Sequence, residues 1–254
     1  MIAFFGVFRR ELGRVLAGSA TFLALPAGLA WVAWQRMAGS VDPGAVDGPD
    51  ALFRAAALVL VPLAVWAAAP SFAVERVERT ATLWAISPVR PTGVLLGKFL
   101  ALMTALTLAL VVLALPLALQ SGPPDGLTWQ RLGAGLGGLL LLCAVTVALT
   151  LLTSALATHF STAFIAALAL VVAWTWGPAL LDGILVTLAG VAPGPWVEWA
   201  AAAHHGLSGW DARALVLPLF LGWVDLGAVA ALVAAVLVLL VVTQQVVASE
   251  RWRG

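Results

Sequence analysis

Side chains that could do chemistry are sparse in this chain, and their spacing decides against most reactions. Cys143 is the single cysteine and lies in an apolar run, so neither an internal disulfide nor a thiolate metal cluster is expected. His204 and His205 are adjacent, which on a helix turns them to different faces, and His159 stands alone in a short turn, Thr158 to Ser161. No metal site is expected from them. Ser208, in GLSG at Gly206 to Gly209, has no histidine after it to act as a base, because His205 precedes it. GVLLGKF, Gly93 to Phe99, approaches a phosphate loop, but that loop needs four residues between its glycines and a Ser or Thr after the lysine. Here there are three residues, then Phe99. ATP hydrolysis by this chain itself is not expected, and Lys98 is expected to snorkel to the headgroups from the start of a membrane helix.

The densest charge lies in Val74 to Leu102, between long apolar runs. Glu75 and Arg79 sit four apart with the acid first, and Val74, Val77, Ala81 and Trp84 share one helical stripe, which predicts an amphipathic helix of about three turns. Pro88 biases Ser87 away from helical geometry, and the turn Pro88 to Pro91 holds Arg90 before Thr92 can cap a second helix. The expected result is a span, an elbow and another span. Two further ionisable residues, Asp182 and Asp225, flank a polar, interrupted stretch at 191–221 and are candidates for an external gate.

Composition supplies the setting. At 254 residues, 63% hydrophobic and 10% charged, with a mean hydropathy of +1.06, the chain departs from soluble domains, whose charged fraction runs near ~25%. Its net charge of +1 gives no broad basic surface for nucleic acid. Windows long enough to cross about 30 Å of hydrocarbon occur near 15–36, 51–73, 95–119, 132–157, 162–190 and 222–248, which predicts an all-α polytopic protein with six transmembrane helices. The run from Val15 to Trp34 reads as a first span rather than a signal peptide, because it is longer than a signal core.

Arg9, Arg10, Arg14, Arg76, Arg79, Arg90, Lys98, Arg251 and Arg253 fall on one side of such a bundle and only Arg36, Arg54, Arg131 and Arg213 on the other. By the positive-inside rule both termini and the elbow are expected in the cytoplasm. Residues 1–14 suit a short interfacial helix, and 191–221 an external cap with helical pieces at Trp196 to His205 and Arg213 to Phe220. With 12 tryptophans and no tyrosine, an interfacial belt must be built from Trp alone. Gly133 and Gly137 form a small-xxx-small face expected to carry helix packing, within the chain or against a second copy. Pro26, Pro62, Pro116 and Pro178 are expected to kink their spans.

FAVERVERTATLWAISPVRPTGVLLGKFLA resembles the segment after the second span in permeases of type-2 ABC exporters. There an acidic residue, a Gly-Thr-Leu run, a Ser-Pro or Lys-Pro turn and a Leu-Gly-Lys follow in order. Glu75 and Glu78, Thr80 and Leu83, Ser87 and Pro88, and Leu96, Gly97 and Lys98 occupy those places; Arg79 stands where the glycine is usual. Gly222, Asp225, Arg251 and Trp252 are similar to the last span of the gliding-motility and nitrous-oxide-maturation branch, and FRREL, Phe8 to Leu12, fits the interfacial helix of such permeases.

The resemblance implies a transmembrane permease subunit in the bacterial inner membrane. It would pair with itself or a sister permease and work with a separate cytoplasmic ATPase dimer that holds ATP and Mg, leaving no cofactor on this chain. It also implies that Glu75, Arg76, Glu78, Arg79, Trp84 and Arg90, within the elbow at 74–92, meet the ATPase as a coupling helix. Membrane lipid and an extracytoplasmic accessory protein would be further partners. The alternative is a stand-alone secondary transporter or channel, which needs charged mid-span residues or repeated halves. No internal repeat occurs, and the span middles are almost free of charge.

Overall fold

Apolar runs longer than the hydrocarbon is thick leave backbone amides no partner but one another, and helices are what satisfies them. In the computed structural model, residues 2–17, 28, 49–78, 91–118, 128–191, 202 and 212–250 are described. Over them run α1 (Ile2–Ala17), α2 (Pro49–Ala68), α3 (Pro70–Val77), α4 (Pro91–Ala118), α5 (Trp129–Leu156), α6 (Phe160–Val191), α7 (Ala212–Phe220) and α8 (Leu226–Glu250). No strand occurs among the described residues. Among the described residues, five stretches are long and apolar enough to cross a bilayer: Phe53–Val77, Pro91–Leu115, Trp129–Leu156, Phe160–Pro178 and Leu226–Ser249. By helix length and apolarity the chain is a multi-pass membrane protein. The first of the six expected spans, 15–36, lies outside the described residues except for its opening at Val15 to Ala17, which belongs to α1, and residue 28.

α5 is the axis of the bundle. It packs against α2, α3, α4, α6, α7 and α8, and 72% of its span is buried, against 17% for the α6 span and 22% for the α8 span. So α6 and α8 turn most of their surface out of the bundle. α5 can sit at the centre because small residues are interspersed among its buried leucines and valines: Cys143, Ala144, Thr146, Ala148, Thr150 and Ser154 are all buried and let neighbouring backbones approach. Its threonines carry hydroxyls into that setting without leaving them unsatisfied. Thr146 Oγ1 donates to the Leu142 carbonyl at 2.8 Å and Thr150 Oγ1 to the Thr146 carbonyl at 2.7 Å.

Glycines set the closest approaches, but not the expected ones. A methyl group at Gly135 would come within 2.2 Å of the Phe53 ring, and one at Gly138 within 3.0 Å of Leu219, whereas Gly133 and Gly137 have nothing within 4 Å. The small-xxx-small face therefore faces out of the chain, and the packing glycines lie on the other side of the same helix. Helical geometry turns 135 and 138 well away from the 133/137 stripe. Phe53, seated on Gly135, stacks on Phe220 of α7 with ring centroids 5.5 Å apart. Lower in the bundle, Phe72 of α3 bonds Ser154 of α5. The two contacts, 53 with 135 and 72 with 154, share a sequence offset of 82, so the α2–α3 rod and α5 run parallel in one register. α6 runs back from the turn after α5, its Ala163 packed on Ala69 and Ala73.

The elbow begins differently from its sequence expectation. Val74 and Val77 belong to the last turns of α3, a helix that continues the second span through Pro70 and ends at Val77, with Glu78 as its C-cap. Residues 79–90 lie outside the described residues. On the far side of the elbow Pro91, rather than a Thr92 cap, opens α4, as suits a residue without an N–H in a first turn. α1 lies along α4, and a methyl group at Gly97 would meet the Phe4 carbonyl and Val7 at 3.3 Å. The N-terminal helix runs to Ala17, three residues past its expected end at 14.

The piece expected at Arg213 to Phe220 is α7, which packs against α2, α5, α6 and α8. The piece expected at Trp196 to His205 lies outside the described residues apart from the backbone of residue 202. α7 stops at Gly222, whose φ of +88° suits a residue without a side chain. Around it the Trp223 amide donates to the Pro218 carbonyl at 2.8 Å and the Gly222 amide to the Leu219 carbonyl at 3.0 Å, which is the Schellman arrangement. Arg131 of α5 lies directly beneath this glycine.

Candidate functional site

The polar chemistry that the fold assembles lies at the end of the bundle where α3 leaves it, here termed the elbow end. Val7, Glu11 and Val15 recur every fourth residue on α1 and all face inward, which carries a carboxylate into the core on an otherwise apolar stripe. Lys98, in the second turn of α4, meets it. Its side chain is fully buried, with Nζ 2.8 Å from Glu75 Oε1 and 3.3 Å from Glu11 Oε1. The ammonium also donates to the Ser71 carbonyl and stands 4.4 Å from the centre of the Phe72 ring, an orientation that adds a cation–π attraction.

Arg14 completes the cluster. Its guanidinium lies 2.8 Å from Glu11 Oε2 and donates to Ser71 Oγ at 3.2 Å. In these contacts two carboxylates meet two cations, and the three ammonium hydrogens of Lys98 have three acceptors. Both conditions matter, since each ion taken from water costs several kcal/mol unless paired and hydrogen-bonded. The two carboxylates form a cation cage that an ammonium already fills.

Two further contacts bind α3 to α5. At Pro70 the helix loses an amide donor, and Ser154 Oγ sits beside the break. It donates to the Ala69 carbonyl at 2.7 Å and accepts from the Phe72 and Ala73 amides at 3.0 and 3.1 Å. Arg76 then caps the C-terminal end of α5, donating to the Ala157 carbonyl at 2.9 Å and to the Ala155 carbonyl, where a cation also suits the helix dipole. The first arm of the elbow is thus joined to α1 and α4 by ions and to α5 by hydrogen bonds.

These positions revise the sequence expectations residue by residue. Lys98 does not snorkel outward; it is buried because an acid from each of two other helices meets it. Glu75 and Arg76 turn toward neighbouring helices of this chain. Glu78 is exposed at the C-cap of α3. Arg79, Trp84 and Arg90 lie outside the described residues, and of Asp182 only the helical backbone is described. Asp225 has a local role: its Oδ1 accepts the Gly227 amide at 2.8 Å and its carbonyl the Val229 amide at 3.0 Å, which makes it the N-cap of α8.

Sequence reasoning passed over Glu11, Ser71 and Ser154. Glu11 left a signal, an acid on the apolar stripe of an amphipathic helix. The serines left none, because their value depends on the helix break at Pro70 and on register with α5. No protein-family model matches the chain, and no curated protein matches it.

Proposed function

We propose that the chain is the transmembrane permease subunit of an ATP-driven type-2 ABC exporter, receiving a cytoplasmic ATPase dimer at its elbow. The observation that supports this most is the fastening of α3: one short helix at the elbow end of the bundle is tied through Lys98 to α1 and α4 and through Ser154 and Arg76 to α5. A push on the segment that follows Glu78 would then reach three other helices at once. On this reading the contact surface for the ATPase comprises Glu78 and the segment holding Arg79, Trp84 and Arg90, while Glu75 and Arg76 transmit the load inside the permease. The work drives export of a substrate, or transmits force to a partner, between inward-open and outward-open arrangements of two permease halves.

A stand-alone secondary transporter is the second reading. The buried ion cluster favours it, because ionisable residues at membrane depth mark ion pathways. Lys98 is nevertheless fully partnered, which favours a structural joint over a site that must load and release an ion.

Purification of the chain from its native membranes tests the proposal. A nucleotide-binding subunit is expected to copurify, and Glu78→Arg or Trp84→Ala is expected to leave the chain in the membrane while lowering ATP hydrolysis by the complex. A chain that copurifies with no ATPase, or hydrolysis unchanged in both variants, would overturn it.

A further inference from the structure

α1 carries three arginines and one acid, and the acid faces inward. Glu11 is taken by Arg14 and Lys98, whereas Arg9 and Arg10 are exposed and form no ion pair or hydrogen bond among the described residues. At roughly 100° per residue, Arg9 lies opposite the buried stripe of Val7, Glu11 and Val15. Arg10 falls on one flank of that stripe, and Phe5, Phe8 and Leu12 on the other. The apolar flank is not closed off by the protein. Phe5 is 62% exposed, and the Phe4 ring, 5.7 Å from that of Phe5 and 6.4 Å from that of Phe8, joins the three into one cluster.

The inner contacts of α1 fix its level. Glu11 meets Lys98, and Arg14 meets Ser71; these partners lie seven residues from the start of α4 and six from the end of α3, roughly 10 Å of helix. Val77 and Pro91 are also where two of the apolar spans end, so α1 is held near a bilayer surface, where headgroups meet acyl chains. We propose that the outward side of α1 binds the headgroups of anionic phospholipids, with Arg9 and Arg10 as the cations and Phe5 set among the acyl chains. A zwitterionic headgroup brings no net charge to two outward arginines, whereas an anionic one is attracted by both. Cations on one flank and rings on the other are what an amphipathic helix needs to engage such a surface. The same helix presents Glu11 to Lys98 from its inner side, so the lipid contact and the buried ion joint share one element. The inference stands apart from the exporter reading: it requires the elbow end at a membrane surface and no ATPase.

The full chain carrying Cys143→Ala and Gly13→Cys tests this. A methyl group at Gly13 meets nothing within 4 Å, and position 13 falls between Arg9 and Arg10 on the outward side, so a bimane attached there reports what approaches. In phosphatidylcholine vesicles, phosphatidylglycerol with a nitroxide high on its acyl chain is compared with phosphatidylcholine labelled in the same way. The anionic lipid is expected to quench at about fivefold lower mole fraction, the factor that one arginine near an anionic surface carries. Arg9→Gln with Arg10→Gln is expected to abolish the preference, and Arg9→Lys with Arg10→Lys to keep it. Equal quenching by the two lipids without those changes, or a preference that survives the paired Gln substitutions, would overturn the proposal. So would a label that iodide quenches and neither lipid does, as expected if this side faced solution or a protein partner. Native mass spectrometry of the chain with its own cysteine gives a second measure: phosphatidylglycerol is expected to be retained over phosphatidylcholine, and equal retention counts against the site.

Discussion

Lys98 Nζ lies 2.8 Å from Glu75 Oε1 in a fully buried setting, so that an ammonium from the third expected span is held by a carboxylate from the helix that continues the second. The pair binds α3 to α4, the two described arms of the elbow. Glu11, 3.3 Å from the same nitrogen, brings the N-terminal helix into the joint.

Removing both partners should therefore cost less than the two single removals added together. Lys98→Met removes the ammonium that two buried carboxylates share, and a broken buried pair typically costs about 3–5 kcal/mol. In the double variant Lys98→Met with Glu75→Gln, one of those carboxylates is gone. Thermal unfolding in detergent should show the double variant less destabilised than the sum of the singles, with a coupling on the order of 0.5–3 kcal/mol. Simple additivity would mean that the two groups do not interact.

Ser154→Ala should loosen the elbow without touching a charge. The hydroxyl serves the Ala69 carbonyl and the Phe72 and Ala73 amides, and a buried group left unsatisfied costs about 1–3 kcal/mol. Thr146→Val is the control, because that hydroxyl bonds only within its own helix. Hydrogen exchange of the α3 amides should rise in the first variant and stay near its original level in the second.

Two glycines on one helix should behave oppositely. Gly135→Ala drives a methyl group into the Phe53 ring, which is itself stacked on Phe220, and such overpacking costs about 1–3 kcal/mol. Gly137→Ala meets nothing and gains helix propensity of up to about 1 kcal/mol. Melting temperatures of the two variants should move in opposite directions; equal losses would restore the 133/137 face to the packing of this chain.

The turn between α7 and α8 separates a gate from a cap. Gly222→Ala places a side chain at a φ of +88° and against Arg131, where the left-handed conformation alone costs about 1–2 kcal/mol. Asp225→Ala should lose about 0.5–2 kcal/mol of capping, and Asp225→Ser should recover most of it because its oxygen can take the same amide. If transport fell in Asp225→Ser while stability held, the carboxylate would have a duty beyond the cap.

Local signals were legible wherever one segment contained its own explanation. The apolar windows beginning near 51, 95, 132, 162 and 222 correspond to the observed spans, and the stretch at Arg213 to Phe220 is α7. The elbow was legible as a place, its inner face was not. Glu75 reads equally well as a partner contact or a core ion until Lys98 is known to sit beside it, and the Gly133/Gly137 spacing reads as packing until Phe53 is found on Gly135.

By itself, then, the amino-acid order determined a helical, membrane-embedded chain with a charged elbow, because hydropathy and helical period act over a few turns and need no neighbour. Only the tertiary structure decided which ions are internal and which glycines are pressed upon. Those outcomes depend on the register between helices far apart in the chain, as with Phe72 and Ser154 at an offset of 82 residues, and a buried charge is tolerable only when that register brings its counter-ion to hand.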